Sequence, residues 1–394
     1  MNTTAKAHGL DGTLVEPDWP PLTPSEVSTL LDRYSGCGGP REIVSVSPRP
    51  FSAASVVNTQ GGRVFVKRHH RMVRDREGLL EEHRFIGHLR GNGAPAPLIL
   101  ATASGETAIE SGEWTYEVHE APAGIDLYQD AISWTPFRSV HHAHWAGQAL
   151  ARLHCASRGY SAPPRMPRPL VASFTIFADA NPASAIERYL SARPVLGCEP
   201  AIYAACSEAL QLLAPFHSEL KPLLPGLEPF WTHNDLHASN LFWSDTTADA
   251  RAVAIIDFGL ADRTNAVHDL AHAIERNVVE WLALVEHPQR FDAVPVHLDD
   301  LDALLAGYEL VRPLSEVEAS ALAPMTALCH AEFALTEADY FLGVLHSQSQ
   351  AHMAVPDYLV GHARWFSSRA GTALLDVIRQ WAVSQTELRR AARR

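Results

Sequence analysis

A chain of 394 residues, 46% hydrophobic and 20% charged, has the composition of an ordered globular protein and is longer than one core readily supports, so two lobes are expected. Its formal net charge of −13 excludes nucleic acid as a general partner, because a phosphate backbone needs a basic surface, and slightly favours a cationic ligand. The cysteines, Cys37, Cys155, Cys198, Cys206 and Cys329, form no C-x-x-C pair, which excludes a zinc ribbon and a disulfide framework; with no secretory leader and no apolar run of about 18 residues, the expectation is a cytoplasmic protein with no membrane partner.

Residues 1–40 read as a loose arm, Met1 to Pro21, followed by a short helix. Thr23-Pro24-Ser25-Glu26 is a capping box with proline at the first helical position, and Val27, Leu30, Leu31 and Tyr34 share one face. From Glu42 to Arg68 the pattern turns to strands: EIVSVS, a break at Pro48-Arg49-Pro50, SAASVVNT, a turn at Gln60-Gly61-Gly62, then RVFVK. The first connection has no G-x-G-x-x-G, but the small residues Ser52, Ala53, Ala54 and Ser55 let backbone N–H groups approach a phosphate, which makes Ser52 a candidate contact. Lys67 closes the third strand. The helix Arg76–Leu89 follows, with Glu82, Ile86 and Leu89 at helical spacing, and ends at Gly91-Asn92-Gly93. Glu106–Glu110 and Trp114–His119 supply two more strands. The proline- and glycine-marked Glu120–Gly124 then reads as a hinge, dividing a small lobe, 41–119, from a large lobe, 125–394.

The large lobe is mostly helical. His142–Ala156 has an apolar face of Trp145, Ala149, Leu150 and Leu153; its neighbouring histidines, His141, His142 and His144, lack the spacing of a helical metal site. Ser161–Pro169 is too proline-rich for a helix and should be an extended loop bordering a pocket. Further helices are expected at Ala183–Leu190, Glu199–Leu213, His268–His287, Leu301–Val311, Ser315–Phe341 with an interruption at Pro324, and Leu359–Gln385. Glu332, Glu337 and Asp339 either line a cleft for a cationic acceptor or form a solvated helix face, the second being the simpler expectation. Arg389–Arg394 reads as a frayed helix end whose charge suits the helix dipole.

The chemistry concentrates between Trp231 and Asp262. WTHNDLHASNLFW carries His-x-Asp-x4-Asn as His233, Asp235 and Asn240, and a short apolar strand, RAVAII, ends in Asp257-Phe258-Gly259. In phosphoryl transfer such a trio divides its labour: one carboxylate takes or orients the acceptor hydroxyl's proton, while an amide oxygen and a second carboxylate hold magnesium against the phosphates. Asp235 takes the first role; Asn240 and Asp257 take the second. Lys67 is the candidate phosphate-binding lysine with Glu82 as its partner, Glu81 and Glu77 being the nearest competitors.

These motifs resemble the aminoglycoside phosphotransferase and choline-kinase-like family, whose motif usually reads H-G-D-L-H-x-x-N. Asn234 stands where the family often has glycine, with Asp235, His237 and Asn240 in register. ALARLH at Ala149–His154 and Asp269-Leu270-Ala271 extend the likeness from about Glu42 to at least Glu280. The resemblance implies an α+β, two-lobed protein-kinase-like fold, a small antiparallel sheet lobe beside a larger helical one. It also implies ATP in the cleft with adenine on the backbone of Val118 to Glu120, Mg2+, and a small-molecule hydroxyl acceptor such as an aminoglycoside or other antibiotic, an amino alcohol or a hydroxy amino acid. Asp269 reads either as a helix N-terminal carboxylate stabilised by the dipole or, as the resemblance implies, as a brace for the motif loop, and His237 could orient Asp235, touch phosphate or hold the loop. A protein kinase is the alternative disfavoured by the lack of Ala-Pro-Glu after Asp257, and a silent nucleotide-binding scaffold the one disfavoured by the intact Lys67, Asp235, Asn240 and Asp257 set.

Overall fold

The computed structural model describes residues 17–286 and 290–392. Most of the expected N-terminal arm, together with His287, Arg393 and Arg394, lies outside them. Helix α1 (Pro24–Leu31) starts at the expected capping box, Thr23 accepting from the Glu26 backbone and Glu26 from that of Thr23, and buries Val27, Leu30 and Leu31. Strands β1 (Glu42–Val46), β2 (Ala53–Thr59), β3 (Gly62–His70), β4 (Ile109–Ser111) and β5 (Trp114–Glu120) form an antiparallel sheet in the order β1-β2-β3-β5-β4. The β3–β5 register sets Lys67 directly opposite Glu117. Helix α2 (Arg76–Gly91), capped by Asp75, packs Leu79, Phe85, Ile86 and Leu89 inward.

The large lobe contains α3 (Val140–Ser157), α4 (Pro182–Ser191), α5 (Pro194–Gly197) and α6 (Pro200–Leu220), then the short strands β6 (Pro229–Thr232), β7 (Leu241–Trp243), β8 (Ala252–Ile255) and β9 (Asp262–Asn265). It continues with α7 (Ala266–Val278), α8 (Trp281–Glu286), α9 (Leu298–Val311), α10 (Glu316–Leu328), α11 (His330–Gly343), α12 (Gln348–His352), α13 (Gly361–Phe366) and α14 (Arg369–Ala392). β6 pairs with β9 and β7 with β8, which places the loops after β6 and β8 side by side. Helices α3 and α9 meet closely enough to require glycine. A Cβ on Gly147 would sit 2.0 Å from the Leu304 carbonyl oxygen, and one on Gly307 2.0 Å from that of His144. Three expected helices differ, the one drawn over Leu359–Gln385 dividing into α13 and α14. The segment drawn as one helix from His268 divides into α7 and α8, and the interruption expected at Pro324 falls at Cys329, because α10 is buried on nearly every face and packing carries it through the proline. No helix among the described residues is long and apolar enough to cross a membrane.

Candidate active site

The loop after β6 is held from below by Asp269, in the first turn of α7. Its fully buried carboxylate accepts the backbone N–H groups of His233 and Asn234, both at 2.8 Å, and His154 Nε2 at 2.9 Å. The sequence alternative of a brace for the motif loop is what the geometry displays. Asn234 has φ 62°, a left-handed conformation that glycine or asparagine adopts at least cost. Its amide also ties down the surroundings: Nδ2 donates to the carbonyls of Ala172 (3.1 Å) and Leu260 (3.2 Å), and Oδ1 accepts from the hydroxyls of Thr232 (2.8 Å) and Thr264 (3.0 Å). His237 Nδ1 pairs with Ser239 Oγ at 2.8 Å while its Nε2 stands 3.7 Å from Asp235 Oδ2, so it serves the loop and faces the aspartate.

Asp235 therefore leaves a rigid loop. Its Oδ2 and backbone carbonyl both accept from Asn240 Nδ2, at 3.2 and 2.9 Å, and Arg276 Nη2 lies 3.3 Å from Oδ1. Burial alone would raise its pKa, but the positive charge of Arg276 and the nearby His237 outweigh that and keep it below the ordinary carboxylate value. Asn240's amide nitrogen is committed to Asp235, and no described residue donates to its amide oxygen, which is the atom a hard cation would take.

Asp257 follows β8 in a left-handed conformation, φ 60° and ψ 73°, which turns the chain sharply at the cleft. Two links join its loop to the one after β6: His233 Nε2 to the Ile256 carbonyl, 2.9 Å, and Ile256 N–H to the Asn240 carbonyl, 2.9 Å. Lys67 Nζ donates to Asp257 Oδ1 at 2.9 Å. Although burial opposes the charge on each, the attraction of the pair prevails, holding Asp257 far below the usual carboxylate range and Lys67 above its ordinary value. Lys67, Ser52, Asp235, Asn240 and Asp257 all line one cleft.

One sequence expectation is corrected here. Glu82 is not hydrogen-bonded to Lys67; it is the buried counter-ion of two arginines, accepting from Arg74 Nε at 2.6 Å and Arg165 Nη2 at 3.0 Å. Arg74 also donates to the carbonyls of Leu170 and Gly259, and Arg165 to those of Gly78, Gly259 and Ala261, so the proline-rich loop fastens the back of the cleft. The Val118 carbonyl accepts from Leu100 N–H and the Glu120 N–H donates to the Leu98 carbonyl, 2.8 Å each, so these two groups are held within the small lobe.

Sequence reasoning missed Arg276 and Arg49, which line the same cleft with Trp134, Phe333 and Glu337. A signal for Arg276 existed: seven residues after Asp269, it falls on the same face of α7. Glu332, Glu337 and Asp339 are buried, which overturns the solvated-face expectation. Glu332 accepts the backbone N–H groups of Thr175 and Ile176, Asp339 lies 3.6 Å from Arg193, and Glu337 reaches the cleft, where burial pushes its pKa up to about 8.

A small antiparallel lobe over a helical lobe, with a lysine, two aspartates and an asparagine in the cleft between, defines a protein-kinase-like phosphotransferase. The chain belongs to the phosphotransferase enzyme family, which it matches over residues 51–333, and is a small-molecule phosphotransferase with an alcohol group as acceptor. Among curated relatives it is 27% identical to a homoserine kinase of Rhodospirillum rubrum over 263 residues, 64% of this chain and 67% of that one. Among solved structures it is similar to a microcompartment-associated aminopropanol kinase, TM-score 0.58 at 16% identity, covering 88% of this chain and 98% of that one. It is also similar to the amicoumacin kinase hAmiN in complex with AMP-PNP and Ca2+, TM-score 0.55 at 12% identity, covering 86% and 92%.

Proposed function

We propose that this chain transfers the γ-phosphoryl group of ATP to the hydroxyl of a small acceptor carrying an amino group, a hydroxy amino acid of the homoserine kind being the first candidate. The observation that carries this reading is the joint presence in one cleft of Asp235, Arg276 and Glu337, a carboxylate for the hydroxyl flanked by one cation and one acid for the two ends of an amino acid. The homoserine kinase relative supports the same acceptor class.

The roles follow from the charges. Lys67 offers its ammonium to the nucleotide phosphates, and Ser52 sits in the loop that covers them. The hard oxygen donors Asn240 Oδ1 and Asp257 suit Mg2+, which, when held there, offsets the negative charge of the phosphate oxygens. Asp235, anionic and fixed by Asn240, orients the acceptor hydroxyl and takes its proton as the oxygen attacks the γ-phosphorus in line with the leaving ADP. Arg276 receives the acceptor's carboxylate, and Glu337 its ammonium, giving up a proton as the cation arrives.

The test is ADP release by purified protein with MgATP against homoserine, amino alcohols and aminoglycosides, with Asp235→Asn as control. Homoserine turnover that vanishes in the variant supports the proposal; turnover of an amino alcohol alone would remove the carboxylate role of Arg276, and absence of nucleotide binding would remove the whole reading.

A further inference from the structure

The small lobe holds a buried cluster that phosphoryl transfer does not use. The Glu117 carboxylate, on β5, accepts from His69 Nε2 at Oε1, 2.9 Å, and from both His83 Nε2 and His119 Nε2 at Oε2, 2.8 Å each. No arginine or lysine is hydrogen-bonded to it among the described residues, so one buried carboxylate is served by imidazoles alone. His119 lies two residues beyond Glu117 on the same face of β5, and α2 brings His83 over that face.

A purely structural hydrogen-bond cluster would satisfy the carboxylate, but this one has further features of a ligand set. One ligand atom from each of His83, Glu117 and His119 lies within 4.8 Å of the others. The remote atoms of two of them are already held, His83 Nδ1 by Thr107 Oγ1 at 2.9 Å and Glu117 Oε1 by His69, as the outer contacts of metal-binding side chains are. His119 is the least buried of the three, its side chain 13% exposed at the start of the interlobe connection.

We propose that His83, Glu117 and His119 bind one zinc-class divalent cation. On binding, the Nε2 atoms of His83 and His119 that now face the Glu117 carboxylate turn to the cation, while His83 Nδ1 keeps its contact with Thr107 Oγ1. Two imidazoles and one carboxylate suit zinc, cobalt or nickel, whereas magnesium prefers oxygen donors. The site is separate from the Asn240–Asp257 pair and sits beside Lys67, which faces Glu117 across the β3–β5 ladder.

The experiment is a Co2+ titration of the chelator-treated full chain under excess Mg2+, read by visible absorption and equilibrium dialysis. The expected result is a single retained equivalent with visible bands, displaced by Zn2+ and bound at least about tenfold more weakly after His119→Gln or His83→Gln, but unchanged by Asp257→Asn. His119→Gln alters the least buried of the three side chains and decides the matter alone if His83→Gln does not fold. No retained Co2+, or retention that survives His119→Gln, would overturn the proposal, and retention lost in Asp257→Asn would move the ion to the phosphate site.

Discussion

Asn234 makes two separable contributions, and paired substitutions divide them. Asn234→Gly keeps the left-handed backbone at φ 62° but removes the side-chain bonds to Ala172, Leu260, Thr232 and Thr264. Those groups are buried, and at about 1 kcal/mol net for each bond the loss comes to about 2–4 kcal/mol. Asn234→Ala loses the same bonds and adds a left-handed alanine, so it should be less stable than the glycine variant by about 1 kcal/mol, the steric penalty being partly offset by glycine's more flexible unfolded chain. Urea unfolding measures both steps, and ADP release measures what they do to Asp235, the next residue. An alanine variant as stable as the glycine variant would refute the backbone argument; a glycine variant as stable as the parent would refute the side-chain one.

Other substitutions test the remaining groups. Asp235→Asn should lower turnover by about 10²–10⁴-fold while leaving nucleotide affinity in a binding titration nearly unchanged; near-normal turnover in a folded variant would contradict its role. Because burial raises Glu337 to about 8, the parent is fully stabilised while that group is protonated and loses stability, by up to about 1.4 kcal/mol per pH unit, as pH climbs from the ordinary carboxylate value through about 8. Glu337→Gln should therefore melt higher than the parent above about pH 8 and alike near about pH 5, and a constant difference in melting temperature would exclude this titration. Glu82→Gln strips Arg74 and Arg165 of their shared counter-charge and should cost about 3–5 kcal/mol in thermal unfolding. Lys67→Ala should instead act chiefly on KM for ATP, and the reverse pattern would restore Glu82 as the lysine's partner.

The parts legible in the sequence were those with local causes. Thr23 and Glu26 mark a helix start by reciprocal capping, Gln60-Gly61-Gly62 marks a turn, and the fixed spacing of Asp235, Asn240 and Asp257 survives folding because β6 with β9 and β7 with β8 hold the two loops together. What was not legible depends on distant partners. Glu82 points inward as its helical spacing requires, but the choice between Lys67 and two arginines was settled by Arg165, 83 residues away. The acids of α11 look like a solvated face by composition, and only the packing of neighbouring elements makes Glu332 an acceptor for Thr175 and Ile176 and brings Glu337 to the cleft.

The arginine pair on Glu82 also joins the two halves of the enzyme. Arg74 follows the lysine-bearing strand but grips carbonyls of the large lobe at Leu170 and Gly259, two residues past Asp257, so the two halves are riveted at the back of the cleft. Lys67 and Asp257 share their cleft with the Pro48–Ser52 loop, and Gly259, which Arg74 holds, lines it too. The charged groups of the cleft are thus set beside a buried contact that ties the two halves together, so the spacing between Lys67 and Asp257 is fixed from behind as well as by their own ion pair.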